Sequence, residues 1–432
     1  MPRMKSTPLS RRAFLCRHTA LAAGAAAFAG LAPSLSVLGA NDRVRLGFMG
    51  VNGRGSDLVR GFAALPQAEI AYICDVDERA IAKGIAAAGD RQPAPRGAKD
   101  FRRVLDDRAV DALVIATPDH WHAPATILAC AAGKHVYCEK PASHNPHEGE
   151  LAVAAARKFD RVVQIGTQRR SMPTSIEAIA RLRAGVIGRV RFARGWYNNT
   201  RGSIGQGKPV PVPAWLDWEL WQGPAPERPF RDNIVHYNWH WFWHWGTGES
   251  GNNAVHALDL CRWGLGVEFS RRVTSGGGRY YFHDDQETPD TNVVTFDFGD
   301  AMITWEGRSC QRHGFESSMF GAAFYGDQGT MVLDGASYTL FDTQDKPLGK
   351  VSGSGSDAPH LQNFLDCLRT GRRPNADIAE GYKSTLLCLL GNIAWRVGRT
   401  LNCDPRTGKL LGDKGAARLW RRSYRPGWEP KV

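Results

Sequence analysis

The sequence predicts an α/β protein, with a doubly wound parallel sheet in its first half. Its second half reads as a mainly antiparallel sheet with helices on one side. Three observations carry this. Between residues 43 and 165, short apolar runs alternate with helical stretches, the pattern of a parallel sheet covered on both faces. A glycine-rich turn, Gly50-Val51-Asn52-Gly53-Arg54-Gly55, joins the first apolar run to the first helical stretch. From Val186 onward the strands are instead separated by hairpin-type turns. The first half is therefore of Rossmann type.

The first forty residues stand apart from the fold. Arg11-Arg12 precede an alanine-rich, modestly apolar run from residue 19 to 38, the pattern of a twin-arginine export signal with cleavage near Gly39 or Ala40. The alternative, an N-terminal membrane helix, fits poorly because alanine and glycine make the run only weakly apolar. The expected division is residues 1–40 as signal segment, 41–167 as dinucleotide-binding domain and 168–432 as substrate and oligomerisation domain. After signal removal no permanent membrane span is expected, and the location is periplasmic or otherwise exported. Arg3, Lys5, Arg11, Arg12 and Arg17 account for five of the +12 formal charges. The remaining basic residues are not gathered into one block, which argues against a nucleic-acid partner. Beyond the signal the eight cysteines form no C-x-x-C pair and sit in apolar patterns. Zinc and redox motifs are therefore disfavoured, and no metal is expected.

Strands are expected at 43–49, 69–74, 112–116, 135–138 and 162–165, with helices at 56–64, 78–88, 123–132 and 147–158 between them. In the second half, strands are expected at 189–197, 292–298, 301–306 and 331–333, with turns at Gly299-Asp300 and Asp334-Gly335. A helix at 253–264 interrupts them. Residues 349–356 read as a Gly/Ser linker, followed by helices at 360–368 and 378–397.

The glycine turn carries the first chemistry. In a G-x-G-x-x-G turn the first glycine permits the tight bend, the second admits the pyrophosphate, and the helix N-terminus holds its charge. Here Asn52 takes the second glycine's place, and asparagine tolerates a left-handed backbone better than most residues. Gly50, Asn52, Gly53, Arg54 and Gly55 are thus candidate dinucleotide contacts. Asp75 ends the second strand, where a carboxylate can accept from the adenosine ribose hydroxyls and repel a 2′-phosphate. NAD is favoured over NADP, although Arg79 lies close enough to blunt the preference; the alternative role for Asp75 is a helix N-cap. Two further loops lie at carboxyl ends of strands, where open α/β sheets bind ligands. One holds Thr117, Pro118, His120 and His122; the other is Glu139-Lys140-Pro141. A lysine before proline is steered away from helical geometry, which can aim its ammonium into the cleft. Near the nicotinamide, whose positive ring would lower its pKa, it could polarise a hydroxyl or carbonyl.

These residues, with Gln164-Ile165-Gly166-Thr167-Gln168, resemble the glucose–fructose oxidoreductase / inositol dehydrogenase / MocA family, in particular its exported twin-arginine members. The resemblance covers roughly residues 43–400. It implies a Rossmann domain followed by an α/β domain with a large open sheet, often used for homo-oligomerisation. It also implies that Lys140 sits near the nicotinamide and substrate, and that Glu139 and Gln168 border the cofactor. The family's second catalytic element is an Asp four residues before a His on one helix. Here His256 matches the histidine and Asn252 stands where Asp is usual. Positions i and i+4 share a helix face, and Asn252 can hold a hydroxyl but cannot accept a proton. His256 is then the expected base; its alternative role is a buried helix histidine bonded to a carbonyl.

Eight of the fourteen tryptophans lie between residues 196 and 245. They suit the C–H faces of a sugar, and equally a domain core or subunit interface. The leading expectation is NAD-dependent hydride transfer to or from a secondary hydroxyl of a sugar or polyol. Two alternatives stand beside it. One is an NAD-dependent glycosidase working by transient oxidation, elimination, hydration and re-reduction. The other is a non-catalytic dinucleotide- and sugar-binding sensor or scaffold.

Overall fold

The computed structural model describes residues 43–90, 93–316 and 318–432. The paired arginines, the apolar run behind them and the expected cleavage site lie outside the described residues.

Six strands form the first sheet: β1 (Val44–Met49), β2 (Ala68–Cys74), β3 (Arg96–Ala98), β4 (Ala112–Ile115), β5 (His135–Cys138) and β6 (Val163–Ile165). Their order is β3-β2-β1-β4-β5-β6, and every pairing is parallel. The chain reverses its winding direction between β1 and β4, which opens a crevice at their carboxyl ends. Strands β4 and β6 are buried along their whole length, because helices cover both faces. Strand β3 was not anticipated; it is a three-residue edge whose first two residues, Arg96 and Gly97, are exposed and carry no apolar signal. The helix expected from residue 123 begins at Asp119. Pro124 lies inside it and has no N–H to give the His120 carbonyl, which instead accepts from Arg422 Nη2 at 2.9 Å.

Nine strands form the second sheet: β7 (Val190–Asn198), β8 (Arg272–Gly278), β9 (Thr291–Asp297), β10 (Met302–Arg308), β11 (Phe320–Gly326), β12 (Gly329–Asp334), β13 (Ser337–Phe341), β14 (Pro347–Ser352) and β15 (Leu401–Asn402). The order is β14-β13-β12-β11-β7-β10-β9-β8-β15. All neighbours are antiparallel except β7 and β10, so the sheet is mixed. Gly299 (φ +94°) and Gly335 (φ +54°) turn the two expected hairpins with left-handed backbones. The segment expected as a Gly/Ser linker is in part β14, which pairs with β13 from Ser352 back to Pro347. As an exposed edge strand it needs only backbone partners, so composition concealed it. Helices Val255–Leu265 and Ile378–Val397 lay Leu258, Leu386 and Leu390 in one core with Val294, Phe296 and Trp305 of the sheet. Each such apolar side chain contributes about 1.5–3 kcal/mol on burial.

One helix of the second half packs against the first sheet. Ala358–Thr370 returns to the first sheet, where Leu361, Phe364 and Leu365 share a core with Phe48, Phe62 and Tyr137. The rings of Tyr137 and Phe364 meet edge-on at 5.8 Å.

A buried ionic cluster ties the start of the second half to its later helices. Arg170, just after β6, donates its Nε to both carboxylate oxygens of Asp259 at 3.0 and 2.8 Å. Ser384 Oγ donates to the same carboxylate at 2.6 Å, and Arg262 bridges Ser384 and Glu380. Arg170 is 6% and Asp259 1% exposed. Removing one partner of such a pair leaves a buried, uncompensated charge. Asp259→Ala is therefore expected to destabilise the fold by about 3–5 kcal/mol in urea unfolding, with Asp259→Leu/Arg170→Met costing less than the single change. A loss under about 1 kcal/mol for Asp259→Ala would place the pair among screened surface pairs and refute this account.

Candidate active site

The glycine turn follows β1 directly. Gly50 has φ +84°, and a Cβ there would stand 2.8 Å from the Ala116 carbonyl oxygen, so only glycine fits. A Cβ on Gly55 would fall 1.8 Å from the Gly50 carbonyl oxygen, which gives Gly55 the role of close helix–strand packing. Gly53 caps the helix Arg54–Ala63 and faces open space. Asn52 does not adopt the left-handed backbone expected of it; among described residues the non-glycine positions with positive φ are Asp160, Glu316 and Asp345. Its carbonyl is instead held by Lys83 Nζ, so the turn closes without a second glycine's freedom.

Asp75 is held rigidly at the end of β2. Its carboxylate accepts from Val51 N at 2.7 Å and Asp77 N at 3.0 Å. Burial raises its pKa against those two hydrogen bonds. The N-cap of the next helix is Asp77, which accepts from Arg79 N. Arg79 is turned away from the crevice, paired to Asp77 at 2.9 Å and stacked 3.4 Å over Trp215.

A cavity of about 520 Å³ runs from this turn to the second domain. It is lined by Gly50, Asn52, Gly53, Arg54, Asp75, Thr117, Pro118, His122, Glu139, Lys140, Gln168, Asn252 and His256 among others. His120 does not line it. Its Nε2 faces the Trp221 carbonyl at 2.9 Å and its ring is wholly buried, so the expectation of a cofactor contact is corrected. The first helical turn aims successive side chains in different directions, which sends His120 into the tryptophan core. His122 reaches the cavity wall with its ring between two carbonyls, Nδ1 2.7 Å from Pro141 O and Nε2 2.8 Å from Thr117 O. A neutral ring donates to one of them, and the side chain bridges the two loops.

The far end of the cavity holds the reactive groups. Lys140 Nζ donates to the backbone oxygen of Asn252 at 2.9 Å and to its Oδ1 at 3.3 Å. Asn252 and His256 do not share a regular α-helical face as expected. Asn252 lies in a π-helical turn, Ser250–Ala254, that precedes the helix Val255–Leu265. Both nevertheless line the same cavity. Gly251 makes the approach possible, since a Cβ there would stand 1.8 Å from Thr247 Oγ1 and 3.2 Å from the Pro141 ring. Among described residues His256 makes no hydrogen bond, and its Nδ1 is buried without a partner. Burial, the Lys140 ammonium, Arg169 and Arg54 hold it well below the ordinary imidazole range, so the ring is neutral. Glu139 accepts from Arg54 Nε at 2.8 Å. Although burial opposes it, Arg54 and Lys140 keep this carboxyl below its usual range. A Cβ on Gly166 would stand 2.7 Å from Glu139 Oε2, so that glycine leaves the carboxylate its room.

Residues 199–245 supply walls that motif reading did not single out. Leu220, Trp221, His236, Tyr237, Trp239 and His240 line the cavity. The tryptophans divide: Trp218, Trp221, Trp239 and Trp245 share one core cluster, and of these Trp221 and Trp239 also face the cavity. Beside Asn252, Arg201 pairs with buried Glu249 at 2.8 Å and donates to Tyr237 OH at 2.9 Å. These residues belong to no short motif; the aromatic density of the stretch was their only signal.

The residues present fit a dinucleotide. Besides the left-handed Gly50 and the helix N-terminus, buried polar atoms around the cavity stand without partners: Thr117 Oγ1, Gln168 Oε1 and Arg54 Nη2. Residues 44–167 match the family model described as oxidoreductase family, NAD-binding Rossmann fold, and residues 193–430 match oxidoreductase family, C-terminal alpha/beta domain. A glycosyl hydrolase family 109 protein of Saccharopolyspora erythraea is 32% identical over 216 residues, 45% of this chain and 46% of that protein. A levoglucosan dehydrogenase of Pseudarthrobacter phenanthrenivorans is 29% identical over 171 residues, 40% of this chain and 37% of that protein. The chain thus spans less than half the length of these curated relatives. A levoglucosan dehydrogenase structure, in complex with NADH and levoglucosan, superposes with a TM-score of 0.67 at 19% identity, over 83% of this chain and 99% of that one; at that identity it speaks to fold. The matched models cover the glycine turn, Lys140 and His256 alike, and this chain belongs to the Gfo/Idh/MocA family of NAD-binding oxidoreductases.

Proposed function

We propose that the protein transfers hydride between NAD and a secondary hydroxyl of a sugar or polyol. The observation that carries the reading is the meeting of Lys140, Asn252 and His256 in the cavity that begins at the glycine turn. NAD, when bound, supplies the hydride acceptor. Lys140 has three N–H donors; two point at Asn252, and the third is left for the substrate oxygen, where it stabilises the developing alkoxide. His256, neutral and without a protein partner, accepts the hydroxyl proton. Asn252 holds the ammonium in place and offers its amide to a neighbouring hydroxyl. Tyr237, 49% exposed, and His240 form an aromatic edge beside them, their rings 4.6 Å apart, suited to a sugar's C–H face.

The second reading, glycoside cleavage by transient oxidation, is supported by the relative named as a glycosyl hydrolase family 109 protein. NAD is first assayed in the supernatant of the denatured protein. Free sugars and aryl glycosides are then supplied. Net NADH from a free sugar supports the dehydrogenase; aglycone release without net NADH supports the glycosidase. Export rests on the paired arginines at 11 and 12. Assembly through the second sheet is supported by exposed Val293 and Met302 on its strands.

Lys140→Ala is expected to lower kcat by about 10²–10³-fold while NAD remains bound in the purified protein; unchanged turnover of both substrate types rejects the proposed chemistry. Because His256 is held well below the usual imidazole range, its protonation, and the accompanying loss of proton acceptance, falls on the acid side of about pH 6.5. The oxidation rate should stay flat through neutrality and drop only at lower pH, and His256→Asn should lower it by about 10²–10⁴-fold. An acid limb centred at or above pH 6.5, present in wild type and absent from His256→Asn, contradicts this base assignment.

A further inference from the structure

The other end of the cavity is closed in a way that hydride transfer does not require. In an open α/β sheet the dinucleotide lies in a crevice outside the strand ends, with its adenosine half near solvent. Here Asp75, Val76, Lys99, Asp100 and Phe101 line one side of that half, and Leu220, Trp221 and His236 line the other. The second group comes from the long excursion of the second domain, so the adenosine end has a roof.

The roof meets the first domain at Trp221, whose carbonyl accepts from Trp121 Nε1 at 3.0 Å, and is fastened to it again at its outer edge. Asp77 and Leu216 form an isolated antiparallel bridge, in which Asp217 N donates to Val76 O at 2.9 Å and Glu78 N to Trp215 O at 3.2 Å. The Arg79 guanidinium covers the Trp215 ring at 3.4 Å while pairing with Asp77. His236 Nε2 lies 2.9 Å from Asp77 Oδ2, the same carboxylate oxygen that Arg79 Nη2 pairs with. The far side of the roof is tied to the C-terminal tail: Arg425 pairs with Glu219 at 2.6 Å and Glu227 at 3.1 Å. Trp428 meets Trp121, itself a cavity wall, edge-on at 5.3 Å.

We propose that residues 215–236 form a latch, closed by Trp215, Arg79, Asp77 and His236, that encloses the adenosine of NAD and prevents its exchange between turnovers. This rests on NAD occupying the cavity. Leaving requires the bridge to open, the guanidinium to lift from the indole, and the Leu220 and Trp221 side chains to be exposed. Catalysis is then closed in redox terms. The carbon oxidised loses a hydride and its hydroxyl loses a proton to His256. The hydride must be returned in the same cavity to a carbonyl carbon of a bound carbohydrate, with His256 returning the proton to the carbonyl oxygen. The hydride-accepting reactant is either the oxidised intermediate itself or a second carbonyl sugar.

The test loads the full protein with radiolabelled NAD, adds a large excess of unlabelled NAD, and follows retained label by filtration. Wild type should keep its label over many turnover times. Trp215→Ala/Arg79→Ala, which removes the latch without touching a cavity wall, should release it at least about tenfold faster. Equal and rapid exchange in both proteins overturns the latch, whereas a protein that binds no NAD at all overturns the cofactor's place instead. If the double variant does not fold, hydrogen exchange in the wild type decides. Amides of Glu78 and Asp217 protected as strongly as those of β2 support the latch, and unprotected amides there refute it.

Discussion

The hydrogen bonds from Lys140 Nζ to Asn252 are the constraint on which the site depends, because they join residues 112 positions apart, on different sheets' domains. An ammonium on a four-carbon stem has no preferred direction of its own. It acquires one because the loop after β5 and the π-helical turn are each pinned nearby. Thr247 Oγ1 donates to Asp119 Oδ2 at 2.5 Å, the Asn392 amide donates to Thr247 O at 2.8 Å, and His120 N donates to Trp245 O at 3.1 Å. Gly251 then lets the Pro141 ring close in. A side chain at that position would push the turn, and Asn252 with it, away from the ammonium.

Several charges around the cavity are balanced by pairs. Arg54 sits between Glu139 at 2.8 Å and Asp357 at 2.6 Å, and Arg201 answers Glu249. Charges removed from water need such partners, and these pairs also fix the loops that carry them. Asp357 lies just ahead of the helix that returns to the first sheet, so the pairing at the glycine turn is coupled to that return. Farther out, the latch at Asp77 holds the second domain against the first, and the ionic cluster at Asp259 holds Arg170 to the helices Val255–Leu265 and Ile378–Val397 within the second.

Much of this was legible in the chain. Strand β5 and the helix Ile378–Val397 are bounded as the apolar periodicity indicates, since most of their residues are buried and their ends are marked by a strand-end loop and by Asp377 and Gly398. The cavity gathers Gly50, Asp75, Glu139, Lys140, Asn252 and His256 because each occupies the carboxyl end of a strand or a helix beginning, positions that sequence reading can assign. What was hidden follows from tertiary context. The edge strands β3 and β14 have no buried face to produce a pattern. His120 and His122 are two residues apart with identical chemistry, and only the packing of Trp221 and Pro141 against them shows that one ring turns into the tryptophan core while the other sits between two carbonyls. The role of Asn52 was misjudged because a lysine 31 residues later supports its carbonyl, a contact that local propensity does not contain.

The asparagine at 252 also leaves Lys140 without an ion pair among the described residues. An aspartate there would set a carboxylate against the ammonium, and the pair would be largely neutral to a bound substrate. With Asn252 the ammonium is held by two neutral oxygens, so its full charge remains directed at whatever oxygen enters the cavity. The same charge, with Arg169 and Arg54, depresses the affinity of His256 for a proton. A proton taken from a substrate hydroxyl is therefore held reluctantly and is readily given back to a carbonyl oxygen as hydride returns. A base that releases its proton easily, next to an ammonium held by neutral oxygens, suits the proposed reaction run in both directions.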